Sequence, residues 1–439
     1  MNPDGSELVG MAVLFIPLAL AGLALLNVGL VRSRNAAHIM MSSLCVIAVA
    51  AVMYYVCGFA WQGVNGGAGF AFRIGGRQWD WIANQPLFWR GVDWNGSPAS
   101  LMVWTQMLSA ALAALIPLGS AGERWRLGAA CASTALLAGF IYPIFGRWVW
   151  GGGWLAQLGA NYGIGHGFMD AGGSAAIQAV GGITALAIVW LLGPRRGKYT
   201  NEGLPTAIPG HNAVFVLFGC ALAWIGWVGL NSAGAILFSD VDPRRMPLVA
   251  VNTTLGAGAA ALAAALLTHI RFGKPDASLS ANGWVAGLAA GSGACAFVPP
   301  AEAVLIGLVA GIVVPLAIEN LELRLGIDDP GGAISVHGIG GLWGVLAVGI
   351  FGRFPSSRFY TPAGTAELGN TGQWLGQLIG IATLLGCILP ITYAANWALN
   401  RVVPHRIAPE GERQGLDLYE LGAGAYPDFM THTDEFLQR

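Results

Sequence analysis

Residues 170–182 read DAGGSAAIQAVGG, and residues 329–341 read DPGGAISVHGIGG. Aligned without a gap, Asp170 meets Asp329, Gly172-Gly173 meets Gly331-Gly332 and Ile177 meets Val336. Gln178 then meets His337, and Gly181-Gly182 meets Gly340-Gly341. Val28-Gly29-Leu30 and Val228-Gly229-Leu230 form a second, weaker echo. Paired aspartates with paired glycines in one order are more than glycine-rich chance supplies, so the chain carries an internal repeat.

The hand of that repeat follows from the apolar runs around it. A membrane span needs roughly 20 apolar residues. Candidate spans lie near 8–31, 39–61, 99–119, 127–148, 170–193, 213–237, 247–270, 281–298, 302–321, 333–352 and 373–399. The repeated segments stand five spans apart, an odd number, so the copies cross the bilayer in opposite directions. This is an inverted repeat with a pseudo-two-fold axis in the membrane plane, an arrangement typical of transporters with a site near the midplane. With an aspartate near each helix N-terminus, the eight-residue step to Gln178 or His337 covers about 12 Å. Both side chains then fall near mid-membrane, and the axis brings them together. An ionisable group there is costly and reads as functional, which singles out His337. Asp170 fits two roles, a helix cap and an attractor of cations.

Composition agrees with this reading. The chain has 439 residues, 55% hydrophobic and 10% charged, against about 25% charged in soluble domains. Its 65 glycines are spread through the apolar runs, where small residues let transmembrane helices approach. A net charge of -1 gives no reason to expect nucleic acid. Cys45, Cys57, Cys131, Cys220, Cys295 and Cys387 all fall in apolar runs without metal-ligand or disulfide spacing. No hydrolase elbow, phosphate loop or metal-ligand spacing is present, so neither an enzyme nor a cofactor is expected. His166 and His211 fall in expected loops and receive no role. Trp79, Trp81, Trp89 and Trp94 in the loop 62–98 read as an interfacial aromatic belt. Alternate short loops carry Arg32/Arg34, Arg124/Arg126, Arg195/Arg196/Lys198, Arg271/Lys274, Arg324 and Arg401/Arg406. The positive-inside rule makes these cytoplasmic and puts the N-terminus outside. The expected division is a membrane domain, 1–402, and a cytoplasmic tail, 403–439. The short loops and brief tail fit a bacterial inner membrane.

Several motifs together resemble the ammonium transporter family (Amt/Mep, related to Rhesus proteins). They are Gly29-Leu30-Val31-Arg32, Glu123-Arg124, Val149-Trp150-Gly151-Gly152-Gly153, Asp170 to Gly182, Gly226-Trp227 through Asn231, Asp328-Asp329-Pro330 through His337-Gly338, Gly415-Leu416-Asp417 and Ala425-Tyr426. The resemblance covers nearly the whole chain. It implies eleven helices, with helices one to five and six to ten related by the pseudo-two-fold and a peripheral eleventh. It also implies a homotrimer in the bilayer with one narrow path per subunit. Trp150 would recruit ammonium by cation–π attraction, worth about 0.5–2 kcal/mol. Two phenylalanines would constrict the path above a histidine pair.

The departures fall on that path. The first histidine of the pair is Gln178, and the constricting phenylalanines correspond to Ser109 and Leu230. Thr105 and Gly234 stand where an aromatic and a serine are usual, and Leu26 and Asn27 replace an aromatic pair. A glutamine donates and accepts hydrogen bonds but does not titrate near neutral pH. Losing both rings should widen the path. The leading expectation is channel-like transport of ammonium or ammonia. The alternatives are another small polar solute or cation through the modified pore, and a non-conducting ammonium sensor. The tail pattern implies docking on the cytoplasmic face and contact with a PII-type regulatory protein. Leu421-Gly422-Ala423 departs from the family's usual residues there.

Overall fold

The computed structural model describes residues 3–63, 69–354 and 371–426. Among the described residues eleven long helices follow one another: α1 Pro3–Leu30, α2 Ser33–Gln62, α3 Pro98–Ala121, α4 Leu127–Val149, α5 Ser174–Leu192, α6 Ala213–Ser239, α7 Pro243–Phe272, α8 Ala277–Ser292, α9 Pro300–Leu325, α10 Ile334–Phe351 and α11 Gln373–Val402. Ten are long and apolar enough to cross a membrane. The exception is α8, whose 16 residues reach about 24 Å at 1.5 Å each, short of a hydrocarbon core. The expected eighth span, 281–298, thus ends in non-helical backbone after Ser292, where the Gly293 N–H donates to Ser174 Oγ at 2.6 Å.

The inverted repeat is visible in the packing. A Cβ on Gly182 would lie 2.1 Å from the Gly338 nitrogen, and one on Gly341 would lie 2.9 Å from the Ala179 nitrogen. Those contacts exchange when 159 is added to one number and subtracted from the other, the spacing of the sequence repeat. Gly172 N–H donates to Ser292 O on α8 at 2.9 Å, and Gly331 N–H donates to Gly119 O on α3 at 2.8 Å. The first and sixth helices also pack through reciprocal close contacts. A Cβ on Gly22 would meet the Ala223 nitrogen at 2.3 Å, and one on Gly226 would meet the Ala19 nitrogen at 2.0 Å. These two contacts exchange at an offset of 204. Gly29 and Gly229 make equivalent contacts: a Cβ on Gly29 would lie 2.6 Å from Asn212 O and one on Gly229 would lie 2.4 Å from Ala12 O, an exchange at an offset of 200.

Outside the bundle, β1 Gly69–Ile74 and β2 Arg77–Ala83 form an antiparallel hairpin. Its tryptophans are packed into the protein. Trp81 stacks on Trp154 at 5.8 Å and meets Trp148 edge-on at 5.6 Å, while Trp79 lies 6.0 Å from Trp154. Trp89 and Trp94 lie 5.3 Å apart, and Trp89 also packs on Tyr55. The expected aromatic belt is thus largely a self-packed cluster, a cheaper arrangement for rings that would otherwise stay wet.

The opposite end is closed by the tail. Asp417 accepts from the backbone N–H groups of Ala37 and His38 at 3.2 and 2.8 Å. Glu420 bonds His38 Nε2 at 2.7 Å and the Leu127 N–H at 2.9 Å. Burial pushes the Glu420 carboxyl up, but these partners outweigh it and hold it below the usual range. Tyr426 bonds His211 Nε2 at 2.9 Å, which gives the unassigned His211 a place under the bundle. Because α1 ends where the tail docks, the N-terminal end of α1 lies at the other face. The last tail residues, 427–439, lie outside the described residues.

Candidate functional site

Asp170 and Asp329 open the two half-helices in the same way. Asp170 Oδ2 accepts from the N–H groups of Ala175 and Ala176 at 3.0 and 2.9 Å, and Oδ1 from Gly173 at 3.1 Å. Asp329 Oδ2 accepts from Ile334 and Ser335 at 3.1 and 3.2 Å, the same two positions shifted by 159. Its Oδ1 accepts from Ser120 Oγ at 2.5 Å. Each carboxylate satisfies donors that a buried helix start leaves orphaned. The capping role of Asp170 is therefore built into the fold. Gly173 and Gly332 take φ of +97° and +71° just before the helices begin, a turn only glycine adopts without strain.

Both half-helices start with a widened π turn, Ser174–Ala179 and Ile334–Ile339, and these turns carry Gln178 and His337. Such turns cluster at functional positions. The two side chains meet: His337 Nδ1 lies 2.7 Å from Gln178 Oε1. An amide oxygen only accepts, so Nδ1 carries the proton and Nε2 keeps its lone pair. Gln178 is fully buried, and its Nε2 has no partner among the described residues. The pair offers one hydrogen-bond acceptor, His337 Nε2, and the two N–H donors of the Gln178 amide in the middle of the molecule.

Above the pair, Trp150 is buried at the C-terminal end of α4. Its indole N–H donates to the backbone oxygen of Asp170 at 2.6 Å. Phe238 from α6 stacks on it with ring centres 4.5 Å apart and planes 21° apart. Phe238 was not foreseen from the sequence; it follows the sixth-helix motif by two turns and carries no signal of its own.

The substituted positions are buried. Ser109 and Thr105 are fully buried, and each hydroxyl is spent on its own helix, Ser109 on Thr105 O and Thr105 on Leu101 O, both at 2.8 Å. Leu230 is 1% exposed. The Tyr142 hydroxyl donates to Gln106 Oε1. Gly234 has no room for a side chain, because a Cβ would lie 2.6 Å from Ala171 O; the α6 backbone rests on the Asp170 turn. Trp227 directs its indole N–H to Ser292 Oγ at 3.1 Å and so packs on α8, apart from the Gln178–His337 pair.

At the tail end, a buried ionic cluster ties the helix termini. Arg195 reaches Asp328 through Nε and Nη2, both at 2.9 Å, and Glu123 through Nη1 at 2.7 Å. Glu123 also bonds Arg32 and, at 3.1 Å, Asn35. Burial pushes the Asp328 carboxyl up, but Arg124 and Arg195 outweigh it and hold it below the usual carboxylate range.

The Ammonium Transporter Family profile matches residues 8–426. Ammonium transporter Amt2 of Archaeoglobus fulgidus is 38% identical, over 96% of this chain and 87% of that relative. An ammonium transporter of Bacillus subtilis is 31% identical, over 95% of this chain and 97% of its own. A solved structure described as a sensor Amt protein overlays with a TM-score of 0.82 and 29% identity, covering 95% of this chain and 98% of that one.

Proposed function

The chain belongs to the ammonium transporter family, and on that premise we propose that it moves ammonium, or ammonia derived from it, across a membrane by a channel-like path. The observation that carries this is the continuous line from Trp150 through Asp170 to the Gln178–His337 pair, each linked to the next by a hydrogen bond or by one half-helix. Trp150 supplies the π surface that attracts a small cation. A bare cation is costly in the apolar stretch below it, so the ion gives its proton to water on the entry side before the nitrogen reaches His337. His337 Nε2 then accepts an N–H bond, and the Gln178 amide donates to the nitrogen lone pair. Asp170, Ser109, Thr105, Leu230, Gly234 and Trp227 hold the walls.

The same reading makes the protein a homotrimer with one path per subunit. It divides the chain into a membrane domain, 1–402, and a cytoplasmic tail, 403–439. It puts the protein in a cell inner membrane with the N-terminus outside and the docked tail within reach of a PII-type regulator. A second reading, a non-conducting sensor, is favoured by the tail latch on α2 and the α3–α4 turn, which couples the bundle to the face a signalling partner would meet. Purified protein in liposomes with an internal pH dye and an ammonium gradient separates the two. Saturable internal alkalinisation supports transport; ammonium binding without any flux supports the sensor and sinks transport.

A further inference from the structure

A groove runs along α9 on the outer surface of the bundle, outside the line from Trp150 to His337. Val313, Leu316, Ala317, Asn320, Leu321 and Arg324 line it, and their spacing by three and four residues puts them on one face of the helix. Ile339, in the π turn of α10, lines it as well. The groove holds about 570 Å³, within the range of sites that take small molecules. Its ends differ in chemistry. Val313, Leu316 and Ala317 are apolar and lie toward the middle of α9, whereas Arg324 stands one residue before the helix ends at the tail face. The step from Val313 to Arg324 covers about 16 Å of helix. One leaflet of a bilayer holds about 15 Å of hydrocarbon, so the groove is as deep as one leaflet. Arg324 is exposed, and the carboxylates beside it are taken. Glu322 is held by Lys198 at 2.8 Å, and Glu319 Oε1 by Arg271 Nη2 at 2.8 Å.

The same flank carries the residues of a lipid–water boundary. Leu321 packs with Ala185 and Val189 of α5. On α5 and α11, exposed Trp190 lies 6.3 Å from Tyr393, and Arg401 stands 4.5 Å over exposed Trp397. Trp190 and Arg401 each lie within a turn of the tail-side end of their helix, the level of Arg324. Tryptophan, tyrosine and arginine gather where helices leave the hydrocarbon.

We propose that the groove holds an anionic phospholipid of the tail-side leaflet, with its phosphate on Arg324 and Asn320 and one acyl chain along Leu321, Ala317, Leu316 and Val313. The guanidinium offers paired N–H donors to phosphate oxygens. The Asn320 amide gives one hydrogen to Leu316 O at 2.7 Å and keeps a second for the phosphate. Lipid chains surround the protein everywhere, so the groove contributes packing and Arg324 sets the choice of headgroup. The chain rests against Ile339, in the turn that also carries His337, and so braces that turn from outside. None of this depends on what the path conducts.

The test titrates lipids onto the full-length detergent-solubilised protein and counts them by native mass spectrometry. The probes are dioleoyl phosphatidic acid, dioleoyl phosphatidylcholine and glycerol 3-phosphate. Wild type should bind phosphatidic acid at least about fivefold more tightly than phosphatidylcholine. Arg324→Gln should remove that preference, and Arg401→Gln, at the same level on α11, should keep it. Ala317→Phe fills the groove and should weaken both lipids about tenfold with Arg324 still in place. A preference that survives Arg324→Gln, or is lost equally in Arg401→Gln, would overturn the site. Undiminished lipid binding in Ala317→Phe would do the same. Displacement of the lipid by an equal concentration of glycerol 3-phosphate would leave an anion site and reject the lipid. Loss of the oligomer in Ala317→Phe, seen by size exclusion, would give the groove to a second copy instead. Binding is read without flux, so a silent liposome assay rejects transport and keeps the groove, whereas failure here rejects the groove alone.

Discussion

At the scale of the residue, Asp170 and Gln178 carry separable roles. Asp170 accepts three backbone N–H groups, so Asp170→Ala should destabilise the protein by about 3 kcal/mol, seen as a lower melting temperature. Asp170→Asn keeps one acceptor oxygen and should recover much of that stability while losing the charge. A variant that melts normally yet responds poorly to ammonium would assign the attraction of cations to the carboxylate itself. Gln178 fixes the tautomer of His337 and cannot pass on a proton, so wild-type vesicles on a supported-membrane electrode should give a smaller ammonium current than Gln178→His vesicles. Equal currents would mean that protons do not travel through this pair. Gln178 and His337 were legible in the sequence because the repeat aligned them. Phe238 was not, because nothing local distinguishes a phenylalanine of an apolar helix until the tertiary fold stacks it on Trp150.

At the scale of the element, backbone contact decides what can change. The α1–α6 crossing puts a Cβ on Gly226 at 2.0 Å from a backbone nitrogen that cannot move aside. Gly226→Ala should therefore cost about 3 kcal/mol and reduce the monodisperse fraction in size-exclusion chromatography. Gly128→Ala, at a position with open space, should leave it unchanged. The helices and their order were readable from apolar run length, and the half-helix repeat from its aspartates and glycines. The Val-Gly-Leu echo marked one pair of reciprocal contacts, Gly29 with Asn212 and Gly229 with Ala12, but nothing in the sequence showed that Gly22 and Gly226 bring the α1 and α6 backbones together. The short α8 was also overestimated, since apolar composition continues past Ser292 where the helix does not.

At the scale of the whole molecule, the two faces of the bundle are finished differently. One face carries the Trp-rich hairpin over Trp150; the other carries the ionic cluster and the docked tail. Asp328 and Glu420 both have carboxyls held below their usual range in the fold. The stability they contribute is present above the ordinary carboxylate range and is lost as pH falls through their depressed values. The melting temperature should thus stay level on acidification to about pH 4 and drop below it. Asp328→Asn should flatten that drop and cost about 3–5 kcal/mol at neutral pH, because Arg124 and Arg195 lose a buried partner. The central claim concerns the path between these faces. It is tested most directly by the rate of internal alkalinisation in liposomes given an ammonium gradient, wild type against His337→Ala at equal protein density. The account predicts that the substitution lowers the rate at least about tenfold, by removing the one acceptor at the centre of the path. An undiminished rate in a well-folded His337→Ala protein would contradict it and place the path elsewhere in the subunit.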